Sequence, residues 1–369
     1  MSLKLSIDKD ILQKVFSQLQ GIVEKKSTYP VLSHVLLTSK ANEIFIEATD
    51  LEISIKERIK GEVQEEGTMC LPAKRLFDLI REFPPQTVHL EEKENFWVEV
   101  TSGRIKSGIP GIDPKDFPTT SQEGKEEFSF SSSYLQEMIE KTAFAASTQE
   151  SRFNLNGIFM ESIRREDTPY LRFVATDGHR LSLMEREGEV SLRKGIIIPK
   201  RGLTELRKLL GKGDITVSVG ENHVIFKGED YLLFVRLLEG EFPDYKHVIP
   251  TENEKHILID RASFIGTLRR AHILAAERGE GVKLSISSGR MEVQAGGADV
   301  GYFSEEIMVS YDGEAMDIAF NPRYLLEALN VMKGEEVRLE LKDEESAGVL
   351  REEGDDSFIY VIMPMRVHS

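Results

Sequence analysis

The chain has 369 residues, of which 40% are hydrophobic and 30% charged, and a formal net charge of −16. That length exceeds one hydrophobic core and suits two or three domains, and the composition is that of a soluble globular chain rather than a fibrous or disordered one. The first ten residues carry no apolar signal region, no apolar run reaches the roughly 20 residues of a membrane helix, and the lone Cys70 excludes an internal disulfide. A cytoplasmic protein with Cys70 as a small buried residue is expected, with no membrane contact.

In chain order, Leu3-Lys4-Leu5-Ser6-Ile7 reads as a strand, and Asp8 is placed to cap a helix. Ile11, Leu12, Val15, Phe16, Leu19, Ile22 and Val23 then fall on one helical stripe. Period-2 runs follow at Glu43-Ile44-Phe45-Ile46-Glu47-Ala48 and Leu51-Glu52-Ile53-Ser54-Ile55-Lys56. Leu71-Pro72-Ala73-Lys74-Arg75-Leu76 starts a second helix, with proline in the first turn. Trp97, between Phe96 and Val98, reads as a strand residue. The polar stretch 121–127 predicts a boundary.

The pattern then restarts. Phe128-Ser129-Phe130 is extended, Ser131 to Ser133 supply a cap, and Leu135, Met138, Ile139, Thr142 and Ala143 make a helical stripe. Strands are expected around Tyr170 to Ala175 and Leu181 to Glu185, and a helix at Ile198-Pro199-Lys200-Arg201. After a second polar stretch, 250–255, it restarts again: Ile257-Leu258-Ile259, the cap Asp260, and the stripe Phe264, Leu268, Ala271, Leu274. Phe320-Asn321-Pro322-Arg323 opens the last helix. Ala48-Thr49-Asp50 returns as Ala175-Thr176-Asp177, 127 residues on, and Phe117-Pro118 as Phe242-Pro243, 125 on. Solenoid repeats recur every ~20–50 residues, so this is a domain-sized unit used three times. The expectation is an α+β fold of three tandem domains, 1–124, 125–252 and 253–369, each with two helices against antiparallel sheets.

Charge is sorted by element. The six helical windows, 8–26, 72–82, 131–152, 199–212, 260–278 and 321–333, sum to +8, which leaves −24 elsewhere. Basic helices in pseudo-symmetric pairs suggest a ring lining. With helix axes about 10 Å apart, six helices leave a hole of only ~9 Å, whereas twelve leave ~28 Å, enough for a duplex roughly 20 Å across. A three-unit chain would then have to dimerise, and its acidic exterior would confine attraction for phosphates to the hole. The competing reading is a hydrolase that uses Asp50, Asp177 and His179. The first repeat has no histidine at the matching place, and no further ligand sits at metal spacing. A turn role for Asp177-Gly178 is favoured, and neither a metal nor a cofactor is expected.

Several stretches carry a family resemblance: Tyr29-Pro30-Val31-Leu32, Thr49-Asp50-Leu51-Glu52, Asn154-Leu155-Asn156-Gly157, Ala175-Thr176-Asp177-Gly178-His179-Arg180-Leu181, Phe242-Pro243-Asp244-Tyr245 and the closing Tyr360-Val361-Ile362-Met363-Pro364-Met365-Arg366. The chain resembles the bacterial sliding clamp, the beta subunit of DNA polymerase III. The resemblance implies three clamp domains closed head-to-tail into a two-chain ring, a non-catalytic processivity factor on duplex DNA read without regard to sequence. It implies a hydrophobic pocket for short peptides of the replicative polymerase alpha subunit, the clamp loader, and other polymerases and repair proteins. Carried over, that pocket comprises Arg152, Leu155, Thr176, Gly178, His179, Arg180, Leu181, Pro243, Val248, Val361, Met363, Pro364, Met365 and Arg366. Asn154 and His247 stand where the family has an aromatic and a basic residue. The duplex would meet Lys25, Lys26, Lys74, Arg75, Arg81, Lys200, Arg201, Arg207, Lys208, Arg269 and Arg270. Ile109, Ile273 and Leu274 match the family's dimer interface, and are expected to be exposed in a single chain.

Overall fold

Asp8 accepts a hydrogen bond from the Asp10 N–H at 2.8 Å, the cap expected from the sequence, and helix α1 (Lys9–Leu19) follows. It buries the stripe Leu12, Val15, Phe16 and Leu19. Helix α2 (Ala73–Arg81) starts after Pro72, which offers no N–H that would go unsatisfied. The others are α3 (Ser132–Thr142), α4 (Lys200–Leu209), α5 (Arg261–Ala275) and α6 (Pro322–Val331). Asp260 caps α5 through the Ser263 N–H at 2.7 Å, and Asn321 caps α6 through the Arg323 N–H at 3.0 Å. The computed structural model describes residues 3–23, 29–118, 124–275, 281–297 and 301–366.

Among the described residues, six helices fall where the apolar stripes and the Pro-basic signatures predict them. The third is shorter than its 131–152 window: after Thr142 the chain tightens into a 3-10 turn (Ala143–Ala145), then runs extended before a second one (Glu150–Leu155). Ser182 Oγ donates to the Lys141 carbonyl, the acceptor that the next helical turn would need.

The chain forms two compact units, one of residues 1–135 with 201–237, the other of 136–200 with 238–369. Each holds one terminal repeat and half of the middle one. In the first, a five-stranded sheet runs Glu62–Glu65, Lys4–Asp8, Thr87–Glu92, Trp97–Ser102, Ile105–Pro110. Its eight-stranded sheet joins the repeats where Tyr231–Arg236 pairs antiparallel with Ile53–Ile59, Leu233 opposite Ile55. In the second, a twelve-stranded sheet does the same where Arg180–Glu187 pairs with Asp355–Ile362, Leu181 opposite Val361. The repeats are therefore not sealed beads. Continuous ladders carry each terminal repeat into the middle one, since an unpaired strand edge there would leave a row of backbone N–H and C=O groups unsatisfied.

Candidate functional site

The repeated Ala-Thr-Asp closes the same turn twice. Asp50 Oδ1 accepts from the N–H groups of Glu52 (3.0 Å) and Ile53 (2.7 Å), while Thr49 Oγ1 accepts from Leu51 at 3.0 Å. Asp177 Oδ1 accepts from His179 (2.9 Å) and Arg180 (3.2 Å), while Thr176 Oγ1 accepts from Gly178 at 3.1 Å. The remaining oxygen of each aspartate meets an arginine: Asp50 pairs with Arg201, and Asp177 with Arg180 Nε at 3.0 Å. Both carboxylates thus act as turn-closing acceptors. His179 is exposed and only its backbone joins the turn.

Beside the second turn lies an apolar cluster. Val174, Leu181, Leu183, Tyr245, Val349 and Val361 form its buried floor, with Phe159, Phe242 and Ile249 packed against it. Phe242 stacks on Phe159 with ring centroids 5.0 Å apart, and Tyr245 is held by Arg172 Nη1 at 2.8 Å and by Glu161. Two large apolar side chains stand out: Val248 and Met363 are 47% and 42% exposed. Met363 follows the end of its strand and is tied by its N–H to the His179 carbonyl at 2.9 Å. The long Met side chain at the rim can repack against differing surfaces. Arg152 Nη1 donates to the Asp177 carbonyl at 2.6 Å, and Asn154 Nδ2 to the Glu241 carbonyl at 2.9 Å. His247, exposed, faces Asp244 at 2.8 Å.

The structure draws Leu181 and Val361 into one cluster, with Val248 and Met363 exposed. Leu155 is buried, Pro243 exposed and Pro364 half-buried. Met365 is pinned by its N–H to the Ala319 carbonyl at 2.7 Å, and Arg366 is exposed. Arg180 is a buried member of the set. It is 6% exposed, and its guanidinium is taken up by Asp177, Glu327 and the Phe144 carbonyl (3.0 Å) while lying 4.2 Å from the Tyr324 ring. Burial opposes its charge, but Tyr360 and Glu327 outweigh this and hold its pKa above the ordinary arginine value. Sequence reading missed Phe159, Val174 and Tyr245; only tertiary packing gathers them, although Tyr245 sits in a quoted motif.

The helix cations divide into paired and open groups. Lys25 and Lys26 lie outside the described residues. Arg201 donates to Asp50 and to the Gly21 carbonyl (2.7 Å), so much of its charge ties α4 to the end of α1. Lys208 donates to both oxygens of buried Glu205 at 2.8 and 2.7 Å, and Arg270 grips Glu305 at 2.6 and 2.8 Å. Arg81 meets Glu82 at 3.3 Å, and Lys200 is half-buried, its pKa lowered by that burial and by Arg180. Lys74, Arg75, Arg207 and Arg269 are exposed, and none has a carboxylate at ion-pair distance among the described residues.

Two sheet edges carry exposed apolar side chains. Ile105–Pro110 is the outer strand of the five-stranded sheet, with Ile105 37% exposed and neighbouring Trp97 49% exposed. Among the described residues, strand Gly301–Ser310 has a second partner only at Val309 and Ser310, and it exposes Tyr302 (89%) and Met308 (76%). Ile273 at the end of α5 is 68% exposed and Leu274 half-buried. Ile109 does not meet the expectation of exposure: it is 2% exposed, because strand alternation turns it inward opposite Val98.

Among the described residues no helix is long and apolar enough to cross a membrane, and no group of three His, Cys, Asp or Glu side chains could hold a metal ion. Three repeats, ladders continued between them and, among the described residues, six helices define a multidomain clamp-type protein. The DNA polymerase III beta subunit family matches throughout: its N-terminal domain over residues 3–121, central domain over 129–244 and C-terminal domain over 246–366. The beta sliding clamp of Pseudomonas putida is 33% identical over 368 residues, 98% of this chain and 99% of the relative. That of Escherichia coli is 30% identical over 370 residues, 99% of this chain and 100% of the relative. A crystal structure of the Caulobacter crescentus beta sliding clamp superposes with a TM-score of 0.94 at 31% identity, covering 99% of each chain. A sliding clamp (DNA polymerase III subunit beta) from Bartonella birtlesii, bound to griselimycin, gives 0.95 at 29% identity, covering 100% of each. The chain belongs to the DNA polymerase III beta subunit family, the beta sliding clamps. It is a non-catalytic processivity factor of DNA replication, and the hydrolase alternative falls with that assignment.

Proposed function

We propose that this chain works in the cytoplasm as a head-to-tail homodimer that encircles duplex DNA and tethers the polymerase alpha subunit, the clamp loader and other clamp-binding polymerases and repair proteins. The observation that carries the reading is the full-length match to all three clamp domains. We divide the chain functionally at 1–124, 125–252 and 253–369. The decisive experiment uses nicked circular duplex loaded by a clamp loader. The clamp should stay on the circle through gel filtration and leave once a restriction enzyme cuts it, with the DNA otherwise intact. Retention on the linear form, or turnover of the DNA, would overturn the reading.

Dimerisation would join the edge strand Ile105–Pro110 of one protomer to the open edge of Gly301–Ser310 in its partner. Trp97, Ile105, Ile273, Tyr302 and Met308 supply the apolar surface, and pairing the two edges would satisfy their free backbone groups. Duplex contact would fall to Lys74, Arg75, Arg207 and Arg269 first, with Arg81, Lys200, Arg201, Lys208 and Arg270 adding a screened field, and Lys25 and Lys26 are kept as duplex contacts from the sequence.

Peptide binding would use the cluster around Leu181 and Val361. A glutamine-anchored peptide with an aliphatic or aromatic tail would lay that tail over Val361, Pro243 and Phe242 under the rim of Val248 and Met363. Burying one such side chain contributes ~1.5–3 kcal/mol, so two anchors and a few hydrogen bonds suit roughly micromolar binding. Gly178, with a left-handed φ of +89°, keeps the neighbouring turn low: a Cβ there would lie 2.3 Å from Arg152 Nη1.

A further inference from the structure

We propose that Glu327 is a positioning residue for the peptide site, linking anion occupancy at the start of α6 to the Asp177–Arg180 turn. The inference rests on the peptide-site reading above. Glu327 is shared between two arginines. Its Oε2 meets Nη1 of buried Arg180, and its Oε1 accepts from Arg323 Nε at 2.9 Å, one helical turn away. Arg180 has no freedom of its own: Nε holds Asp177 at 3.0 Å and Nη2 holds the Phe144 carbonyl at 3.0 Å. Asp177 in turn fixes the N–H groups of His179 and Arg180, and the His179 carbonyl receives the Met363 N–H at 2.9 Å. A continuous chain of hydrogen bonds, charge-assisted as far as the His179 N–H and a backbone pair beyond it, therefore runs from α6 to the rim methionine of the apolar cluster.

The outer end of the chain is open. The Arg323 side chain is 68% exposed, whereas that of Arg180 is 5% exposed. Lys200, at the start of α4, feels the charges of Arg180, Glu327, Arg323 and Asp177. These five groups comprise three cations and two carboxylates, an excess of one positive charge that a phosphate would neutralise. A phosphate that takes Arg323 leaves the Glu327 carboxylate undivided for Arg180, which stiffens the Asp177–Arg180 turn in the geometry that seats Met363. The sequence-related turn in the first repeat omits the relay. There Asp50 binds Arg201 directly, and Arg201 occupies the place in α4 that Arg323 occupies in α6.

By linkage, duplex should tighten peptide binding, and peptide should tighten duplex binding by the same factor. An exposed ion pair four residues apart supplies only a small free energy, so the factor is about twofold to fivefold. The test is fluorescence polarisation of a labelled glutamine-anchored peptide on the whole clamp, with and without a saturating linear duplex. For the unsubstituted clamp, the duplex should lower Kd by that factor. Arg323→Gln should reproduce the tighter Kd without duplex and lose the response. Glu327→Gln should weaken the peptide about threefold or more and also lose the response, and Glu327→Asp should restore part of both. No peptide binding by the unsubstituted clamp would sink the peptide-site reading and this inference with it. Normal peptide binding with an unchanged duplex response in both Arg323→Gln and Glu327→Gln would overturn the link alone. Should Glu327→Gln fail to fold, Arg323→Gln still decides, because its side chain is exposed.

Discussion

Lys141 is buried against Glu352, 211 residues away in the chain, with its ammonium also 5.0 Å from the Phe358 ring centroid. Glu352 further accepts from the N–H groups of Lys333 (2.9 Å) and Gly334 (3.0 Å). Burial opposes the carboxylate, but Lys141 and the two N–H groups outweigh it and hold its pKa below the usual value. The pair anchors α3 to the last strands of the same compact unit.

Removing one partner of such a pair strands a buried charge, at a cost of about 3–5 kcal/mol. Lys141→Met should therefore lower the thermal midpoint of its unit sharply, whereas the double variant Lys141→Met with Glu352→Gln should recover much of the loss. Calorimetry on the three proteins gives the coupling. Additive losses would show that the pair has no net interaction. Because the folded pKa of Glu352 is depressed, the stabilisation from ionised Glu352 is present above the ordinary carboxylate pKa and lost as pH falls through its folded value.

Glu57 has the opposite sign. Burial, partly offset by Lys14, raises its carboxyl pKa from 4.5 to about 7, and its Oε2 has no hydrogen-bond partner among the described residues. The folded chain holds that proton more tightly than the unfolded chain. The contribution is complete below pH 4.5 and is lost as pH rises to about 7. Glu57→Gln should match the wild type near pH 4 and exceed it at about pH 8 by roughly 1–3 kcal/mol. Thermal midpoints across that range check it; parallel curves for the two proteins would contradict the assignment.

Leu51 and Gly178 hold the same place in sequence-related turns, at φ of +75° and +89°. A side chain in the left-handed region costs about 1–2 kcal/mol, and glycine is freer in the unfolded chain by roughly 0.4–1 kcal/mol. Leu51→Gly should thus be neutral to mildly stabilising. Gly178→Ala should destabilise and weaken the peptide, because its Cβ would displace Arg152 from the Asp177 carbonyl. Urea midpoints and peptide titrations of both variants test the pair. Equal effects at the two turns would argue against a site-specific role for Gly178.

The proposed seam predicts oligomeric state. Ile273→Ala with Leu274→Ala, and independently Tyr302→Ser with Met308→Ser, should each give monomers in sedimentation at low micromolar concentration without loss of helix content. Ile109→Ala should behave differently, losing stability by about 2–5 kcal/mol through an internal cavity. A dimer that survives both surface pairs would place the seam elsewhere.

Helix positions, the aspartate caps and the threefold repeat were legible in the sequence because each is set locally: an apolar stripe at helical spacing or a Pro-basic signature, an Asp one residue before a stripe, a turn closed by Thr-Asp. The family resemblance adds the expectation of a peptide pocket that includes positions in the closing strand. The orientation of single side chains was not legible. Ile109 looked like an interface residue, but alternation within its strand turns it inward. Arg180 stands in a motif read from the sequence, but that Glu327, 147 residues away, joins Asp177 in holding its guanidinium is set by tertiary packing. Net charge by helix likewise did not reveal that Lys208 and Arg270 are already paired, since Glu205 is a neighbour on the helix surface but Glu305 arrives from another strand. The joining of the repeats through shared ladders also lay beyond the sequence, because Leu181 and Val361 become neighbours only through the register of strands 180 residues apart. Local chemistry determined which elements form; long-range pairing and burial decided which of their side chains remain available to a partner.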